Sequence, residues 1–313
     1  MTALLGTSTC GSAWAEWPDR SITIIVPFSA GGHTDMLGRL LAAQLGPRLG
    51  QSVKVENRIS ASQTFELSKS LQATAPGYTL GVTSNAMLIN STMDSLAYDP
   101  LKDFVPIAYL GAAPNVIVTR TSSGIISMGD LIAKAKANPG KLTYASPGVG
   151  TSSQLAVELL KIRAKIDIRH IAFDGSGMSL MAVLSGSTDI AALGTMGLMK
   201  HINAGELKAL AQTGNARWVE LPDVPTLAEA GIPNAVLETS FMFLAPPGTA
   251  DQIISDLANK TREILQQSDT KAKLLETGFT VEYEGPDTVR ARLGREMSTW
   301  NEIVERAGLK KKK

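Results

Sequence analysis

Five short segments of this chain concentrate the residue types that hold an anion without a fixed positive charge. They are Ser29-Ala30-Gly31-Gly32-His33-Thr34-Asp35, Ser84-Asn85, Ser146-Pro147-Gly148-Val149-Gly150-Thr151-Ser152-Ser153, Phe173-Asp174-Gly175-Ser176-Gly177 and Gly194-Thr195. Each follows a short β-branched or apolar run, and most lead into a helical pattern. Glycine lets a backbone approach a ligand closely, and Ser or Thr hydroxyls add donors. A helix N-terminus adds unpaired N–H groups and a partial positive charge, which suits a carboxylate. One such loop is an ordinary strand-to-helix turn. Five in one chain point to a cleft at the carboxyl ends of strands.

Other chemistries lack their motifs. No G-x-x-x-x-G-K-[ST] occurs, so phosphate handling by a P-loop is unsupported, and Gly148-Val149-Gly150 meets Ser153 where a dinucleotide fingerprint needs a third glycine. No G-x-S-x-G elbow is present. The three histidines, His33, His170 and His201, form no H-x-x-x-H pair, so neither a metal site nor a cofactor is expected. His33 borders the first glycine loop and is a ligand candidate, whereas His170 lies within a strand run and reads as structural. Asp35, at a helix start, favours the helix dipole. Asp174 would oppose a bound carboxylate unless it points away or receives an amine or hydroxyl of the ligand. An enzyme using His33 with Asp35 is the alternative, weakened by the absence of a nucleophile–base pair at recognisable spacing.

The elements that must position these loops alternate. Strands are expected at Ser21–Pro27, Val53–Glu56, Thr79–Thr83, Val116–Thr119, Leu142–Ala145, Ile168–Ala172, Ile190–Leu193 and Leu207–Thr213. Helical spacing covers Met36–Leu49, Thr64 to about Ala73, Met128–Ala137, Ser152–Arg163, Gly177–Leu184, Met196–Asn203, Ala250–Gln267 and Pro286–Ala307. This order predicts an α/β protein with largely parallel sheets. The 313 residues exceed one typical core, so two lobes are expected: 16–111 plus 243–313, and 112–242, with a hinge where two strands cross.

Residues 1–15 read as the end of an export signal with Ala13-Trp14-Ala15 as its cleavage site, which removes Cys10, the sole cysteine. Beyond it no apolar run approaches the roughly 20 residues that span a bilayer. Net charge is +1, and the one basic cluster, Lys310–Lys313, is terminal, so nucleic acid is not an expected partner.

Read together, Trp17-Pro18-Asp19-Arg20, Val26-Pro27-Phe28 with Gly31-Gly32 and Thr34-Asp35, and Val55-Glu56-Asn57-Arg58 resemble the Bug family. So do Tyr98-Asp99-Pro100-Leu101-Lys102-Asp103-Phe104, Lys141–Ser146, and Leu221-Pro222-Asp223-Val224-Pro225-Thr226 with Glu229 and Gly231. These are the periplasmic solute-binding components of tripartite tricarboxylate transporters. The resemblance implies a type II periplasmic-binding-protein fold with Venus-flytrap closure, a monomer in the periplasm, a small carboxylate ligand and membrane transporter subunits as partners. By position it implies that Phe28, Ala30, Gly31 and Gly32 hold one end of the ligand with Ser84 and Asn85, and the loop's own residues add His33 and Thr34 as candidates. Gly150, Thr151 and Ser152 would meet it from the other lobe, with Thr195 and Phe241 as further wall candidates, and Asp174 is a candidate on its own chemistry.

The chain also departs from the family, which often has glycine at the position of His33, a basic residue at Asp174 and histidine at Gln154. Family members commonly carry Pro-Gly-Ala-Gly-Gly where this chain has Ile59-Ser60-Ala61-Ser62-Gln63. Met87 and Leu88 add apolar surface, which favours an aromatic dicarboxylate such as terephthalate. A ligand sensor signalling to a membrane partner is the other reading of the same fold.

Overall fold

The computed structural model describes residues 17–59, 64–73, 75–93, 98–233, 236–306 and 308–310. The expected signal segment, the Ser60–Gln63 stretch and the last three lysines lie outside the described residues.

Elements follow in the order β1 (Ile22–Val26), α1 (His33–Leu49), β2 (Val53–Asn57), α2 (Thr64–Gln72), β3 (Thr79–Ser84), α3 (Ala86–Met93) and β4 (Val105–Ala113). The middle of the chain forms β5 (Asn115–Arg120), α4 (Met128–Ala137), β6 (Thr143–Ser146), α5 (Ser152–Ala164), β7 (Arg169–Ala172), α6 (Ser176–Ser185), β8 (Ile190–Gly194), α7 (Leu198–Asn203) and β9 (Leu207–Gln212). It closes with β10 (Thr239–Ala245), α8 (Asp251–Gln266), α9 (Ser268–Glu276), β11 (Thr280–Glu284) and α10 (Pro286–Arg306).

Two sheets result, ordered β11-β4-β10-β3-β1-β2 and β7-β6-β8-β5-β9. The sheets are mixed, which corrects the expectation of largely parallel ones. β2, β1 and β3 run parallel, as do β7, β6 and β8. The remaining pairs, β3 with β10, β10 with β4, β4 with β11, and β5 with β8 and β9, are antiparallel. The cause is the crossing: β4 carries the chain out of the first sheet and β10 brings it back beside β4, so the two must run in opposite directions.

The inner parallel strands β1 and β3 are buried because both faces are covered, whereas the edge strands β2 and β7 carry charged residues and are part-exposed. Ile22, Ile24, Ile25 and Val26 of β1 are fully buried, and every residue of β3 is buried. Helix α1 lies close on β1, since a Cβ on Gly38 would sit 2.9 Å from Val26 Cγ2. It also begins three residues before the expected Met36, so His33, Thr34 and Asp35 form a buried first helical turn. Five further elements, α3, β4, α9, β10 and β11, appear where periodicity had given no range, β4 and β10 being the strands that lead to and from the crossing. Helix α10 packs on α3 and β4 of the first lobe and reaches α5 of the second.

At the crossing, Asn115 is fully buried and ties three segments together. Its N–H donates to Thr213 Oγ1 at 2.9 Å and its Nδ2 to Leu237 O at 3.0 Å. Its Oδ1 accepts from Ser153 Oγ at 2.7 Å and Thr239 Oγ1 at 3.2 Å. The Leu221–Thr226 stretch is structural: Gln212 Nε2 donates to Leu221 O and Val224 O, and Thr226 and Glu229 cap each other reciprocally.

Candidate functional site

A cleft of about 560 Å³, mouth included, lies between the two sheets. Three helix N-termini reach it: Gly32, His33 and Thr34 from α1, Thr151, Ser152 and Ser153 from α5, and Ser176 from α6. First-turn N–H groups have no partner within their own helix, so these ends supply donors and partial positive charge. No Lys or Arg is among the lining residues. Asp35 is the only acidic lining residue, and Arg39, Asn57 Nδ2 and the Gly31 N–H converge on its carboxylate. Burial would raise the Asp35 pKa, but those hydrogen bonds outweigh it and hold the group below the usual carboxylate range. The site is therefore built for an anion recognised by dipoles and hydroxyls.

The sequence places each loop by local bonds. Asn57 Nδ2 donates to Phe28 O at 2.9 Å and to Asp35 Oδ1 at 2.9 Å, which ties the end of β2 to the β1–α1 loop. On the other side, Gln154 Nε2 donates to His170 Nδ1 at 3.3 Å, leaving His170 Nε2–H to donate to Ser146 Oγ at 2.7 Å. Ser146 Oγ in turn donates to Gly148 O at 3.1 Å. His170 also stacks on Tyr144, with ring centroids 4.6 Å apart, and burial lowers its pKa to about 4. It is a neutral strut for the β6–α5 loop, as its strand position suggested.

His33 is 5% exposed, and its ring lies 5.8 Å from that of Phe241 and 6.1 Å from that of Phe279. Its Nε2 is 3.0 Å from Thr277 O. A carbonyl only accepts, so Nε2 carries the proton. Burial lowers the His33 pKa to about 4, only partly offset by that bond. His33 bonds to Thr277 and Asp35 to Gly31, Arg39 and Asn57; no hydrogen bond joins the two as a general-base pair would need.

The lobes meet at the mouth. Thr195 Oγ1 donates to Thr277 O at 2.5 Å across the gap. A Cβ on Gly175 would overlap Ser29 Oγ, and one on Gly278 would overlap the Thr195 side chain. Glycine at both positions lets the lobes approach this closely.

Of the sequence-selected residues, Phe28, Gly32, His33, Thr34, Ser84, Thr151, Ser152 and Phe241 line the cleft. Gly31 lines an adjoining hollow of about 320 Å³ that shares Ser176 and Gly194 with it. The others stand elsewhere, each for a local reason. Ala30 is exposed at the loop tip, and Asp174 is exposed ahead of α6. Asn85 is turned to the far side of β10, where its Nδ2 donates to Glu238 O at 3.0 Å. The Gly150 N–H is taken by Gln154 Oε1 at 2.7 Å, and the Gly31 N–H by Asp35 Oδ2 at 3.2 Å. Thr195 bridges the lobes instead of lining the cleft.

Lining residues outside the sequence selection include Ser29, Asp35, Pro147, Ser153, Ser176 and Gly194, all of which stand in the glycine-rich segments. Ala113, Asn115 and Thr239 also line it, and they come from the crossing strands, whose position no local motif signals.

Two α/β lobes joined by two crossings, with a donor-lined cleft between them, define a periplasmic-binding-protein fold. The profile described as "Tripartite tricarboxylate transporter family receptor" matches residues 37–309. The chain belongs to this family. It is 34% identical over 299 residues to protein BugT of Bordetella pertussis, covering 95% of this chain and 92% of that one. Among solved structures it resembles R. palustris Rpa4515 with adipate, with a TM-score of 0.89 and 30% identity over 94% of this chain and 99% of that chain. It also resembles MatC from Rhodopseudomonas palustris with bound malate, with a TM-score of 0.85 and 29% identity over 92% of this chain and all (100%) of the other. The Bug resemblance seen in the sequence is thereby confirmed.

Proposed function

We propose that this protein is an exported, periplasmic receptor that closes its two lobes on a small carboxylate and delivers it to the membrane subunits of a tripartite tricarboxylate transporter. The observation that carries this reading is the convergence of three helix N-termini on a cleft without lysine or arginine. The adipate and malate bound to two relatives support the ligand class. Among the described residues no helix is long and apolar enough to cross a membrane. The protein acts as a monomer and binds its ligand without turning it over.

The finer expectation of an aromatic dicarboxylate such as terephthalate draws support from Phe28 and Phe241 on the cleft wall, not from Met87 and Leu88, which are buried in the core. A thermal-shift screen of aliphatic and aromatic mono-, di- and tricarboxylates tests both levels. A ligand at 100 times its Kd should stabilise the protein by about 2.7 kcal/mol. Stabilisation by another solute class and by no carboxylate would overturn the reading, and turnover of the bound ligand would replace it with an enzyme.

A further inference from the structure

The structure assigns to His33 a role as a hydrogen-bond acceptor for the ligand, so that hydroxyl-bearing carboxylates are preferred over otherwise identical carboxylates without a donor. This rests on the carboxylate reading of the cleft and goes beyond it by naming a second group the ligand must carry.

The tautomer decides the matter. Thr277 O lies 3.0 Å from His33 Nε2 and can only accept, which places the ring proton on Nε2. Nδ1 then carries the free lone pair of a neutral ring. It lies at the cleft wall, 3.3 Å from where a Cβ of Gly194 would stand, and both residues line the cleft. Among the described residues no protein group donates to it. Phe241 and Phe279 flank the ring and hold its orientation, and turning it over would set an acceptor against the Thr277 carbonyl. Protonation would convert Nδ1 to a donor, but burial opposes it at neutral pH.

The other cleft-lining polar side chains are mainly Ser and Thr hydroxyls, which can donate or accept; the amide of Asn115 is committed at the crossing, and Asp35 is already satisfied by three donors. His33 Nδ1 is different, since it can only accept. A carboxylate oxygen facing it would place two lone pairs together. A hydroxyl there would donate to Nδ1. A ligand with two carboxylates and no donor leaves Nδ1 either unpaired or bridged by water, at a cost in affinity.

Matched pairs test this by titration calorimetry on the full-length protein: succinate with malate, glutarate with 2-hydroxyglutarate, and terephthalate with 2-hydroxyterephthalate. In the pair that fits the cleft, the hydroxylated member should bind about tenfold more tightly, the worth of one well-made hydrogen bond. In His33→Phe that ratio should fall to near one. The variant keeps an aromatic ring beside Phe241 and Phe279, and Thr277 O retains its bond from Thr195 Oγ1, so folding is preserved. Gly194→Ala leaves His33 in place but sets a methyl against Nδ1, and should reduce the ratio likewise. Binding of carboxylates with no preference for the hydroxyl, or a preference that survives both variants, would overturn the role of His33 and leave the receptor reading intact. Failure of every member of every pair to bind would overturn both.

Discussion

At the scale of residues, the site works through neutral groups placed by neighbours that take no part in binding. His33 shows how burial changes a side chain's use: its folded pKa is near 4 against 6.5 for a free imidazole. The unfolded chain therefore binds a proton between these values that the folded chain refuses. Stability is fully present above pH 6.5 and is lost as the pH falls toward 4. His33 alone should cost roughly 2 kcal/mol between pH 7 and pH 5, and His170 adds in the same direction. Denaturant titrations at the two pH values check this, with His33→Phe expected to lose the His33 share of the difference. Carboxylate protonation at low pH affects both proteins alike, so the comparison isolates the histidine.

At the scale of elements, three helices starting at strand ends supply the donors, and strand ends supply the walls. Two amides that a reader of the sequence would assign to the ligand, those of Gly31 and Gly150, are used to shape their own loops. The donors left for a ligand come from the helix turns just after them. The loop after β8 contributes Thr195, whose hydroxyl joins the lobes through Thr277 O. Thr195→Val removes that bond while Thr277 O keeps its bond from His33. We expect ligand affinity to fall by about five- to tenfold, with the melting temperature of the ligand-free protein nearly unchanged. Equal affinity in the variant would show that this bond does not contribute to closure.

At the scale of the whole molecule, two mixed sheets face each other across a cleft, with Asn115 at the crossing and α10 reaching from the first lobe to the second. Net charge is only +1, and no lysine or arginine lines the cleft, so neither long-range steering nor ion pairing dominates recognition. Salt screens exposed charges well and buried dipoles poorly. Carboxylate affinity should change by less than about threefold between 50 mM and 500 mM sodium chloride. A steep fall with salt, measured by calorimetry, would mean that a lysine or arginine reaches the ligand in the bound state.

Much of the fold was legible because it is written in local periodicity. Helix α4 falls on its expected residues, and α5, α8 and the parallel strands match within one residue at each end. Elements without a clean signal were missed: α3 is short and buried on nearly every side, so it has no polar face to set a period, and α9 and β11 are short and half-exposed. The composition of the glycine-rich segments by itself determined that the protein has several strand-to-helix turns able to hold an anion. Which of their groups face the ligand was decided by tertiary structure, because a donor's use depends on what else lies within about 3 Å of it. Asn57 and Gln154 settle that for Gly31's neighbour Asp35 and for Gly150, and Thr277, 244 positions from His33, fixes that ring's proton and leaves its other nitrogen to the cleft.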